Sequence, residues 1–321
     1  MTTQVYREFR ELMNEHKFRD AIQLADRELA RRGGSDAFWL THLSHAYRRA
    51  GNAEEALEQA QNALDVEPDN EYAIVARGLA FRALDRLDRA LEDFKEAASH
   101  SNVSDRAKRQ IVEILLDKKV WKKVLDCIER WSFSEKRELR WKVKALAGDG
   151  RSEKARETAE RLLEIEPDDR EVLWELVELD IEEDGLEAVR ERYGRLARIP
   201  SRPPVYREIY ASLCRRAGDE ETAAEQYEKM EREEVAPNVQ RKRAFSLAKS
   251  DREDEAIPLM EELLRQSPDD YYVHNAYIAA CRRTDELERA RTFYDELLEM
   301  HPDQGELYGH RKNVIKELDA K

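Results

Sequence analysis

Read for its apolar positions alone, the chain repeats itself. In "EEALEQAQNALDVEPDN" (Glu54–Asn70) a small residue is followed four positions later by another small one, and three further on by a third. The same order, small then small or bulky then apolar, recurs in "DRALEDFKEAASHSNVS", "EKARETAERLLEIEPDD", "EETAAEQYEKMEREEVA" and "LERARTFYDELLEMHPDQ". Spacings of three and four place these residues on one helical face. The leading residue is Ala21, Ala56, Ala90, Val124, Ala155, Val189, Ala223, Ala256 and Ala290, in steps of 35, 34, 34, 31, 34, 34, 33 and 34. Pro68, Pro167, Pro200, Pro268 and Pro302 each follow a leading residue by ten to twelve positions.

A period of that size is the mark of stacked supersecondary units. Each unit reads as a pair of antiparallel helices with one apolar face apiece. A lone pair cannot bury both faces, so neighbours must stack. No run alternates Val, Ile and Thr as a half-buried strand would. The segment "GELYGHRKNVIKELDAK" at 305–321 reads as a capping helix, with Leu307, Val314, Ile315 and Leu318 turned inward. The step of 31 shortens one connection, so an irregularity is expected near 132–136. "IPSRPPVYRE", with Pro200, Pro203 and Pro204, marks a hinge candidate near 199–204.

The pattern resembles the tetratricopeptide repeat (TPR) family, whose motif runs W-x2-L-G-x2-Y, then A-x3-F-x2-A and a terminal P. The third repeat carries Gly78, Phe81, Ala90, Phe94 and Ala97; the second carries Leu43, Ser44, Tyr47, Gly51, Ala56, Ala60, Ala63 and Pro68. The seventh supplies Ala211, Gly218, Ala223 and Tyr227. The resemblance implies an all-α fold: a right-handed superhelical solenoid of about nine helix-turn-helix repeats over residues 1–303, with a cap helix over 304–321. It also implies a concave groove, lined by the first helix of every repeat, that holds a partner peptide.

Carried onto this sequence, the family's groove positions are Phe38, Thr41 and His45 in repeat two. They are Tyr72, Val75 and Leu79 in repeat three, with Arg82 a turn further. Repeat four offers Arg106 and Arg109; repeat five offers Arg137, Arg140 and Lys144, with Trp141 beside them. Trp174 follows in repeat six, Glu208 and Ser212 in seven, Asn238, Arg241 and Phe245 in eight, and Tyr272 in nine. The family's chaperone-tail clamp of Lys, Asn and Arg on three successive helices is not found.

Charge sharpens this map. The chain carries 56 Lys+Arg against 70 Asp+Glu, a net of −14. Yet residues 101–150 hold 13 cations and 8 carboxylates, and "EKRELRWKVK" (Glu135–Lys144) packs five cations into ten positions. Arg grips carboxylates bidentately, so repeats four and five are expected to hold an acidic segment, with Trp141 and Trp174 as flat anchors.

The sequence has no Gly-rich phosphate loop, no GxSxG and no HExxH. His42 and His45 lie three apart without an evident third ligand, and Cys127, Cys214 and Cys281 lack metal or disulfide spacing. No catalysis, cofactor or metal is therefore expected. The first residues are charged and no apolar run reaches the length of a membrane helix, so the expectation is a cytoplasmic protein that does not insert in a membrane. The reading is a protein-binding scaffold or adaptor. Self-assembly into homo-oligomers is the alternative; RNA binding is weaker, since a sequence pI of about 5.2 and a locally confined basic face do not suit it.

Overall fold

The computed structural model describes residues 2–232 and 239–320. The described residues are predominantly helical, with no strand. The helices are α1 (Thr2–Asn14), α2 (Phe18–Arg31), α3 (Ala37–Arg49), α4 (Ala53–Val66), α5 (Glu71–Ala83), α6 (Leu87–Ala97) and α7 (Ser104–Asp117). Next come α8 (Trp121–Arg130), α9 (Glu135–Gly148), α10 (Ser152–Ile165), α11 (Arg170–Asp184), α12 (Leu186–Ala197) and α13 (Val205–Arg216). The last are α14 (Glu220–Arg232), α15 (Val239–Lys249), α16 (Glu253–Gln266), α17 (Tyr271–Arg283), α18 (Leu287–Met300) and α19 (Gly305–Leu318). Odd-numbered helices up to α17 open the repeats and even-numbered ones close them. The architecture is an all-α repeat solenoid. It forms two compact units, residues 1–158 and 159–321.

Short polar signals start and stop these helices. Asp36, Asn70, Asp169 and Asp270 cap α3, α5, α11 and α17, their side chains accepting hydrogen bonds from Trp39, from Tyr72 and Ala73, from Val172, and from Tyr272 and Val273 N–H groups. Three of these caps stand two residues after a proline of the repeat, so the proline ends one helix and the cap begins the next. Within each repeat the turn between the two helices holds one residue at positive φ: His16, Gly51, Asp85, Lys119, Gly150, Gly185, Gly218, Asp251 and Asp285. Around Gly51 the Asn52 N–H bonds back to Tyr47 O at 2.9 Å and the Gly51 N–H to Arg48 O at 3.2 Å. This left-handed residue satisfies carbonyls that a helix end leaves unpaired.

The leading small residues sit where close helix crossings require them. Ala21, Ala56, Ala90, Ala155, Ala223, Ala256 and Ala290 are fully buried, as are Val124 and Val189. The first unit's main core joins Ile74, Phe94, Ile114, Val124 and Trp141, and a smaller one gathers Phe9, Leu24, Trp39 and Leu43. In the second unit Leu173, Tyr193 and Ile209 form one cluster, and Ile257, Met260, Tyr277 and Tyr294 another. Leu307 and Val314 of α19 are buried in that second cluster, with Leu318 packed on its edge. Ile315 is half-exposed.

Candidate functional site

In the first unit, helices α1, α3, α5 and α7 surround a recess of about 950 Å³. Its wall carries Tyr6, Phe38, Thr41, His42, His45, Tyr72 and Arg106. Phe38 and Tyr72 stay 41% and 53% exposed, so two aromatic faces remain available to a ligand. The His42 ring lies 4.2 Å from that of Phe38 and its Nδ1 is 2.7 Å from Phe38 O, which makes it part of the wall. Two carboxylates also line the recess, and both are engaged. Asp36 receives Arg32 at 2.9 Å besides capping α3, and Glu67 accepts a hydrogen bond from Asn70 at 2.7 Å.

The recess is electrostatically unbalanced. Arg106, which lines it, and Arg48 and Arg109, which lie outside the lining but within electrostatic range of Arg106, have no carboxylate partner among the described residues; Arg109 Nε donates only to Asp105 O at 3.2 Å. Burial lowers the Arg106 guanidinium, and Arg109 lowers it further. Burial likewise lowers Arg48, with Arg106 and Arg49 adding to the effect. The His45 imidazole is pushed down to about 3, first by burial and then by the Arg106 charge. It is therefore neutral at physiological pH. Cations that destabilise one another while lacking anions form a site that an incoming carboxylate would relieve.

The other expected residues divide. Arg82 is fully engaged: its guanidinium donates to Gln110 at 2.9 Å, Glu113 at 2.7 Å and Asp117 at 2.9 Å, tying α5 to α7. These contacts join neighbouring repeats. Trp141 is engaged in packing. Only 7% exposed, it packs edge-on against Phe133 with ring centroids 5.0 Å apart and belongs to the first unit's core. Arg137 lies 6.0 Å above the Trp141 ring. Arg140 and Lys144 are half-buried on the same helix, each engaged in an interaction of its own.

The second unit holds a smaller counterpart. Arg215, Arg241, Phe245, Lys249 and Tyr272 line a recess of about 400 Å³. Beside it, sharing Arg215 and Lys249, lies one of about 280 Å³ that includes Trp174 and Ser212. Arg241 is held over two rings, 5.6 Å from the centroid of Phe245 and 5.8 Å from that of Tyr272, with Asp270 at 3.1 Å. Glu208 is turned instead to structural pairing: 4% exposed, it receives Arg170 and, at 2.5 Å, Lys242. Asn238 lies outside the described residues.

Comparison with known families matches two segments, residues 42–105 and 247–310, each to a tetratricopeptide repeat model. These two segments of the chain are tetratricopeptide repeats. A tetratricopeptide repeat protein from Parabacteroides merdae superposes with a TM-score of 0.54 at 12% identity, covering 76% of this chain and 98% of its own. A repeat protein from Cytophaga hutchinsonii reaches 0.48 at 11% identity over 84% and 98%. Pseudomonas aeruginosa PilF reaches 0.45 at 18% over 63% and 94%. No curated protein sequence matches the chain. At these identities the first superposition establishes the shared fold alone. Arrays of tetratricopeptide repeats are in general protein-interaction scaffolds. Among the described residues no helix is long and apolar enough to cross a membrane.

The family's groove positions bring Phe38, Thr41, His45, Tyr72 and Arg106 onto one recess, and Arg241, Phe245 and Tyr272 onto another. Arg215 and Lys249 were missed. Each lies three or four residues beyond a mapped groove position, so the same face extended by one turn would have found them.

Proposed function

We propose that this array binds an acidic segment of a partner protein, with the primary seat in the first unit's recess on α3, α5 and α7 and its continuation along α9. The observation that carries this reading is the set of arginines at Arg48, Arg106 and Arg109 without carboxylate partners, beside exposed aromatics, in a chain of net charge −14. By contrast, Arg77 is spent on Asp93 at 2.7 Å and Arg82 on Glu113. Unpaired guanidinium groups recognise carboxylates bidentately. Phe38 and Tyr72 supply the flat contact area common at binding hot spots. The protein acts as a non-catalytic adaptor, and within the second unit Arg241, Phe245 and Tyr272 offer a separate cation–aromatic surface.

The test is calorimetric titration with a Glu/Asp-rich peptide. Arg106→Glu with Arg109→Glu weakens binding at least tenfold while the circular dichroism spectrum is unchanged and the melting temperature does not fall, because no ion pair is broken when these two mutually repelling cations are removed. Raising salt from 0.1 to 1 M weakens the parent protein's binding, since the Debye length shrinks from ~10 to ~3 Å. Equal binding by parent and variant would end this reading. So would RNA that binds with a steep salt dependence and competes with the peptide.

A further inference from the structure

A second recess in the first unit shares no residue with the one proposed as the primary seat. It lies in the crease between α6 and α8, floored by α7, and measures about 430 Å³. Leu91, Ala98, Ile111, Leu115 and Trp131 give it an apolar floor. Lys95, Lys123 and Arg130 stand at its rim, all exposed and none with a carboxylate partner among the described residues. Lys108 adds a fourth cation, 6.0 Å over the Trp131 ring. Asp126 is the one carboxylate in the lining.

Neither feature is required by the fold. The packing faces of α6 and α8 are already satisfied by Phe94, Ala97, Val124 and Ile128, which are buried. An acidic chain has carboxylates to spare, so cations left unpaired around an apolar hollow point outward to a ligand. The hollow has the size of a small ligand pocket. The rim charges come from α6 and from both ends of α8, too widely spread for one carboxylate head group to satisfy.

We propose that this crease is a second docking site, taking an acidic peptide segment that seats one bulky apolar side chain on the Leu91–Leu115–Trp131 floor while its carboxylates meet Lys95, Lys123 and Arg130. It shares α7 with the first recess but no lining residue, and so gives the array a second grip.

Cys127 reports on this site. It lines the recess and is half-buried, whereas Cys214 and Cys281 are fully buried. Thiol–disulfide exchange of the native chain with an aromatic disulfide reagent, which forms a mixed disulfide on Cys127 and releases an aryl thiolate, therefore reads the recess selectively. The probe is an acidic nonapeptide with one central phenylalanine. At saturation it slows Cys127 labelling at least tenfold, and its central-alanine version does so tenfold less effectively by concentration. Lys123→Glu with Arg130→Glu raises the protecting concentration at least tenfold, while Arg106→Glu with Arg109→Glu changes it less than twofold. Ala98→Leu, which fills the hollow and keeps every charge, also removes protection. Unaltered labelling with the phenylalanine peptide overturns the proposal, as does equal protection by the alanine peptide, which would mean charge contact only. Protection by dodecanoate but by neither peptide overturns it too, in favour of a lipid-like amphiphile. Protection lost only in the Arg106/Arg109 variant would place the peptide in the first recess alone.

Discussion

At the scale of single residues, the repeat is written most strictly at the left-handed turn. All nine turns place a residue at positive φ, but only Gly51, Gly150, Gly185 and Gly218 are glycines. Asp at 85, 251 and 285 is partly tolerated there; Lys119, at φ 55°, has no such excuse. A side chain in this region costs roughly 1–2 kcal/mol, partly offset by the greater unfolded freedom of glycine. Lys119→Gly is therefore expected to raise the urea midpoint by an equivalent of about 0.5–1 kcal/mol. Gly51→Ala should lower it by about 1 kcal/mol, although open space surrounds its Cβ position. His45 supplies a second residue-scale outcome. Its native value of about 3 lies below the ordinary ~6.5 of an unfolded chain. Between those values the unfolded chain holds a proton that the native one refuses. Stability from this group is thus complete above pH ~6.5 and drains away as pH falls towards 3. At pH 5 the loss is at most about 2 kcal/mol. Comparing melts at pH 7 and pH 5 should show His45→Gln losing less than the parent.

At the scale of helices, the crossings set what each position tolerates. Gly148 ends α9 beneath Trp121 of α8, and a Cβ there would stand 2.3 Å from the indole Cε2. Gly148→Ala must displace the indole and is expected to cost about 1–3 kcal/mol by chemical denaturation. Gly309, inside α19 with nothing within 4 Å of its Cβ position, is the converse. Gly309→Ala removes only a poor helix former and should stabilise by up to about 1 kcal/mol. If both substitutions were neutral, crossing geometry would not govern these helices. Polar contacts also join helices: Arg282 of α17 grips Glu317 of α19 at 2.5 and 2.7 Å, and Arg289 of α18 grips Glu261 of α16 at 2.9 and 3.1 Å.

At the scale of the molecule, the contacts within each unit run between helices adjacent in the chain or one apart, such as α3 with α4 and α5, or α15 with α16 and α17. Stability in such an array is a sum of repeat and nearest-neighbour terms. Opening should therefore begin where neighbours are fewest. Native-state hydrogen exchange is expected to protect α1 least within the first unit and α4 to α6 most. Uniform protection from α1 to α6 would instead mean one all-or-none transition. Buried His274 and the half-buried His42 and His310 add an acid weakness to both units, because desolvation lowers them as it does His45.

The repeat itself was legible because its causes are local. The three-and-four spacing of apolar residues, the small residues at crossings and the proline–cap pairs all act within a few positions of the chain, so nine helix pairs and a closing helix followed from sequence. The left-handed turns were half hidden, since Asp85, Lys119 or His16 does not advertise positive φ as glycine does. What each cation does was not written locally at all. Arg82, Arg106 and Trp141 all stood at or beside groove positions in the sequence. Only tertiary structure showed that Arg82 reaches Glu113 and Asp117 on the next repeat, that Trp141 is swallowed by packing against Phe133, and that Arg106 faces a hollow with no anion. Burial and charge pairing depend on what a neighbouring repeat presents some thirty residues away, and a period in the sequence sets that distance without naming the partner.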